Sequence, residues 1–63
     1  MKYMVRFVLS RGFPIDKTFN DADEAIEWFD AAKRCMYNQT TVNVNSRLCI
    51  NTKCVAYIEL IQK

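Results

Sequence analysis

Asp21-Ala22-Asp23-Glu24-Ala25-Ile26-Glu27-Trp28-Phe29-Asp30-Ala31-Ala32-Lys33-Arg34-Cys35-Met36 is the stretch on which the fold turns. Its first residues read as a helix start. Asp21 is placed to accept a hydrogen bond from the backbone at the third helical position while Glu24 reaches back to the cap. At 100° per residue Ala22, Ala25, Ile26, Phe29, Ala32 and Met36 fall on one stripe, with Asp23, Glu27, Asp30 and Arg34 opposite. One helix with one apolar face is expected, and Asp30 and Arg34 stand i, i+4 as an ion pair on its far side.

The residues on either side of this helix alternate with a period of two. Upstream, Tyr3, Val5, Phe7 and Leu9 interleave with Lys2, Arg6 and Ser10, which predicts a half-buried strand with its odd positions inward. Arg11-Gly12 turns the chain, and Phe13, Ile15 and Phe19 continue the odd-position alternation through a second strand with Pro14 near its start. Downstream, Asn38-Gln39 is a polar connection, and Val42 and Val44 alternate with Thr41, Asn43 and Asn45. That third strand either turns at Asn45-Ser46 or runs on through Leu48 and Ile50 to a turn at Asn51-Thr52-Lys53, and the second is preferred. The last strand, Cys54 to Gln62, is apolar on both parities, which suits an interior strand. The reading is a single α+β domain over residues 1–63, a two-layer ββαββ arrangement with one helix packed on one face of an antiparallel sheet.

Composition bounds the chemistry. A chain of 63 residues buries only about 60% of its unfolded surface and has room for one core. Half of it is apolar and eight residues are aromatic, the profile of a folded domain. Cys35, Cys49 and Cys54 are an odd number, and the N-terminal segment has no secretory pattern, so a reducing cytoplasm is expected with the cysteines as small buried hydrophobes rather than a Cys49–Cys54 disulfide. No apolar run approaches the roughly 20 residues a bilayer requires. With no histidine and three cysteines at unhelpful spacing, the four cysteine or histidine ligands of a usual zinc site are not supplied, the usual histidine-activated nucleophile cannot be assembled, and a single glycine does not supply a phosphate-cradling loop. The acids Asp21, Asp23, Glu24, Glu27 and Asp30 sit at the helix start or on its solvent face, where three of them are explained by the helix dipole. The expectation is a non-enzymatic binding protein with no cofactor and no metal.

The binding surface expected from this layout is the sheet's second face, which one helix cannot also cover. Met4, Arg6 and Val8 point outward from the first strand, and Val55, Tyr57, Glu59 and Ile61 join them from the last, forming a mixed apolar and charged patch of the kind that marks an interaction site or a homodimer. Trp28 falls at the margin of the buried stripe beside Cys35, either packed over the sheet edge or serving as a binding hot spot. Residues 21–30 carry five acids and no base, while the rest of the chain holds nine bases against Asp16 and Glu59. Arg11, Arg47 and Lys53, with Lys2, Arg6 and Lys17, therefore suggest a basic rim, and the runner-up partner is nucleic acid. The net charge of +2 is low for a dedicated nucleic-acid binder.

The segment Phe19-Asn20-Asp21-Ala22-Asp23-Glu24-Ala25, between an N-terminal and a C-terminal hairpin, carries one likeness. In size and layout the sequence resembles the small proteins that phages and other mobile elements encode to block host machinery, anti-CRISPR proteins among them. The resemblance implies a stoichiometric inhibitor in the host cytoplasm that occupies the functional surface of a host protein or protein complex.

Overall fold

The computed structural model of the chain describes residues 2–62. Two antiparallel strands, β1 (Tyr3–Leu9) and β2 (Ile15–Phe19), precede the helix α1 (Ala22–Tyr37). A short hairpin of β3 (Thr41–Asn45) and β4 (Leu48–Asn51), a 3₁₀ turn (Thr52–Cys54) and the last strand β5 (Val55–Gln62) follow. The strands form two sheets, one of three strands in the order β2-β1-β5 and one of two, β3-β4. The fold is thus α+β with one helix, but five strands replace the expected four.

The extra strand arises at Asn45. Its side-chain oxygen accepts a 2.7 Å hydrogen bond from the Arg47 backbone N–H, which closes an Asx turn and sets Leu48 opposite Asn45, with Cys49 and Ile50 returning along Asn43 and Val42. The turn at Asn45-Ser46 is therefore the correct alternative, and the continuous strand through Leu48 and Ile50 is not formed. Asn51 repeats the device by accepting from the Lys53 N–H at 3.0 Å, opening the 3₁₀ turn. Asp21 does the same at the helix start. It accepts at 3.1 Å from the N–H of Asp23, the second helical residue, rather than from the third as the capping-box pattern suggests.

The interior is centred on β1. Val5 and Phe7 are wholly inaccessible to solvent, and Ala32, Val42, Val44, Ile50 and Val55 complete the buried cluster. On α1 the fully buried residues are Ala25 and Ala32, whose small side chains let the helix axis approach the strands. Trp28 and Phe29 then pack from its two flanks. This rotates the buried stripe away from Ile26, which is exposed, and towards Trp28 and Cys35. On the outer side Asp30 pairs with Lys33 at 3.1 Å, one residue short of the expected Arg34. The helix ends in a Schellman arrangement in which Gln39 N–H donates to Met36 and Thr40 N–H to Cys35. Gln39 takes the left-handed conformation there, with φ 57°.

Three further expectations are corrected. Phe13 lies outside β2 and is 89% exposed, because Pro14 lacks the N–H that would extend the ladder beyond Ile15. The doubly apolar β5 is an edge strand, and the interior position belongs to β1. The cysteines are free, but Cys49 and Cys54 are exposed and Cys35 is half-buried, so the first two are not packed as small hydrophobes.

Candidate interaction face

Directly paired residues of an antiparallel sheet project to the same side. The register of β1 with its two neighbours therefore fixes the composition of the face turned away from the helix. Three rows cross it: Thr18–Met4–Ile61, Asp16–Arg6–Glu59, and Val8–Tyr57. Met4, Arg6, Val8, Tyr57 and Ile61 thus come together on one surface, and the parity of the last strand holds from Tyr57 onward.

Parity fails at Val55. The register shifts between Val8 and Leu9, so that Val8 faces Tyr57 and Leu9 faces Val55, leaving Ala56 as the extra residue of a bulge. The bulge returns Val55 to the core, where it is buried, and removes it from the outer face. No sequence pattern marks this insertion, since a one-residue slip in an apolar run leaves the run apolar.

The middle row is charged and holds an ion pair. Arg6 donates from Nε to Asp16 Oδ1 at 2.8 Å and from a terminal nitrogen to Oδ2 at 3.1 Å, a two-pronged contact that fixes the guanidinium plane. The same group lies 3.8 Å from the Met4 sulfur. The Arg6 pKa is held above its ordinary value, first by the hydrogen bond and charge of Asp16, against partial desolvation, and with added contributions from Glu59 and Tyr57. The two acids that the chain carries outside residues 21–30 are thus the two cross-strand neighbours of Arg6. The row carries two acids and one base.

Four further basic candidates do not join the three rows of this face. Arg11 is exposed in the β1–β2 connection, Arg47 lies in the β3–β4 turn and Lys53 in the 3₁₀ turn. Lys17 turns to the helix side, where Nζ donates to the Val44 carbonyl at 2.8 Å and stands 5.5 and 5.6 Å from the ring centres of Phe19 and Trp28. A continuous basic rim is therefore not formed by these residues.

Trp28 is on the opposite side of the sheet from the three rows. Its ring meets Phe7 edge to face at 5.6 Å and lies 5.8 Å from Phe19. It also lines a shallow groove with Phe19, Glu24, Glu27 and Ala31. Its packing accounts for its position, since the ring bridges helix and strands while Lys17 covers it.

Phe13 is the residue that the sequence reading missed. The pairing of Phe7 with Ile15 brings the returning segment Phe13-Pro14 to the end of the sheet that carries Val8 and Tyr57. Tyr57 is 51% exposed, so two solvent-facing aromatics and Arg11 occur at this end. The available signal was Pro14, which excludes Phe13 from a paired strand.

Among the described residues no cluster of three metal-ligating side chains occurs, and no helix is long and apolar enough to cross a membrane. Comparison with protein-family models, with curated proteins and with solved structures found no match.

Proposed function

We propose that the protein binds another protein through the outer face of β2-β1-β5, acting as a non-enzymatic inhibitor or adaptor. The observation that carries this reading is the order of the rows. Apolar side chains (Met4 and Ile61 at one end, Val8 and Tyr57 at the other) flank a charged row whose one cation is already neutralised. A polyanion recognises accessible, uncompensated cations spaced along a surface, and Arg6 is not one. A protein surface instead rewards aromatic and aliphatic anchors around an oriented arginine. The class of protein that suits such a chain is a stoichiometric blocker of a host complex, of the kind phages encode, and the support for that class is size and layout.

The test uses the whole chain as bait in a nuclease-treated lysate, beside a Val8→Glu/Tyr57→Glu variant whose circular dichroism matches wild type. A protein retained by wild type through a high-salt wash and lost with the variant is expected, since an apolar-centred contact is weakly screened. Equal retention by both baits overturns the assignment of the face. Recovery of nucleic acid alone, with steep salt dependence, overturns it in favour of the runner-up partner.

A further inference from the structure

The outer edge of β5 carries a second inference, independent of the reading of the face. An edge strand exposes unpaired backbone N–H and C=O groups, and proteins protect such edges with short length, proline, lysine or bulges. β2 follows this rule, with five residues, Pro14 immediately before it, and Asp16 and Lys17 within it. The β3-β4 hairpin follows it too, with strands of five and four residues that include Asn43, Asn45 and Asn51. β5 has eight residues, Val-Ala-Tyr-Ile-Glu-Leu-Ile-Gln, with no proline or basic residue. Its bulge lies at one extremity. Beyond the bulge it presents a regular ladder edge whose Leu60, although on the helix-side face opposite Val5, is 39% exposed.

We propose that β5 pairs edge to edge with β5 of a second copy, antiparallel about a two-fold axis through Ile58, joining the two three-stranded sheets into one of six strands. The register follows from charge and parity. A two-fold normal to the sheet keeps matching faces together when paired residue numbers sum to an even value. Centring on Glu59 sets Glu59 against its own copy, a like-charge pair that opposes association. Centring on Tyr57 sets Leu60 and Ile61 opposite Cys54 and Lys53, which lie in the 3₁₀ turn rather than a strand. Centring on Leu60 opposes the Glu59 carboxylate to the apolar Ile61. Centring on Ile58 gives Ile58–Ile58, Tyr57–Glu59 and Ala56–Leu60. Each exposed Leu60 then meets the small residue of the bulge, and each Glu59 meets a phenol able to donate to it. The chain is complementary to itself in this register because its single strand charge sits one residue from the axis.

The experiment is analytical ultracentrifugation of the full chain combined with register-specific cross-linking. Wild type is expected to sediment near twice the chain mass at concentrations of about 0.1–1 mM, with concentration dependence. Leu60→Lys, which adds an edge charge on the helix-side face, is expected to sediment as a monomer with wild-type circular dichroism. In a background with Cys35, Cys49 and Cys54 replaced by serine, Tyr57→Cys mixed with Glu59→Cys is expected to give a disulfide-linked heterodimer under mild oxidation. Two Glu59→Cys chains are expected to link far more slowly. A wild-type monomer throughout that range overturns the proposal, as does a dimer in which Glu59→Cys links to itself as fast as to Tyr57→Cys. The cysteine pair decides the matter even if Leu60→Lys fails to fold, and neither measurement depends on the outer-face contact tested above.

Discussion

The two sheets of this protein are built from the same alternation and do different work. In β1 the alternating residues are large and apolar inward, and amphipathic outward. Val5 and Phe7 fill the core while Met4, Arg6 and Val8 build a surface. In the β3-β4 hairpin, Val42, Val44 and Ile50 are buried, and the residues between them, Asn43 and Cys49, are small and exposed. The first sheet has two useful faces and the second has one. The contrast shows where each sheet's stability originates. The larger sheet is organised around a central strand paired on both sides, whereas the hairpin depends on what its buried side touches, because an isolated two-stranded hairpin is marginal in water.

Substitution at the two inner faces tests this difference most severely. Phe7→Ala removes the largest fully buried side chain and its edge-to-face contact with Trp28, and is expected to cost about 3–5 kcal/mol. A chain of this size has a total stability of order 3–9 kcal/mol, so urea denaturation of the variant should show little or no folded baseline. Ile50→Ala acts on the hairpin's inner face and is expected to cost about 2 kcal/mol. A correspondingly lower urea midpoint with an unchanged slope would confirm that the hairpin unfolds with the rest. A separate early transition would show that it unfolds independently of the larger sheet.

How much of this was legible in the sequence follows from the range of the interactions concerned. The helix, the first hairpin and the inward parity of β1 rest on local periodicity, and Ala25, Val5 and Phe7 were placed from it. The facing parity of β5 was legible from Tyr57 to Ile61 for the same reason. Four features were not. The Asn45 turn competed with an equally alternating continuous strand, and a side-chain hydrogen bond of 2.7 Å decided between them. The bulge at Ala56 moves Val55 inward and is set by pairing with β1, to which residues 55 and 56 are not local. The pairing of Arg6 with Asp16 depends on strand register, and without it Arg6 looks like a free cation of a basic rim. The central place of β1 also comes from pairing, since the more apolar β5 reads as the interior strand.

The junction of the two regions offers a smaller test. The Schellman end of α1 holds Gln39 at φ 57°, a conformation that suits glycine better than a residue with a Cβ. Gln39→Gly relieves that strain at the cost of a freer unfolded chain, and the expected net gain is about 0.5 kcal/mol. It should appear as a small rise in the thermal midpoint without change in the hairpin's exchange protection. A fall would mean that the Gln39 side chain makes a contribution beyond its backbone.

The smallest expected effect on stability has the largest bearing on function. Asp16→Ala removes the two-pronged partner of Arg6 on the outer face, at a site where both side chains are about one-third accessible. Exposed ion pairs contribute little to folding, so the thermal midpoint should stay within experimental scatter. The surface changes more than the stability does. Net charge rises from +2 to +3 by loss of one acid, and Arg6 retains Glu59 as its cross-strand acid. If compensation of Arg6 is what keeps this face from acting as an anion site, the variant should elute from a heparin column at higher salt than wild type. Arg6→Ala, which leaves the acids in place, should elute earlier. Unchanged elution of Asp16→Ala would mean that Arg11, Arg47 and Lys53, remote from the middle row, set the interaction with polyanions. The contrast between a neutralised face and a basic one would then have to be redrawn around the loops.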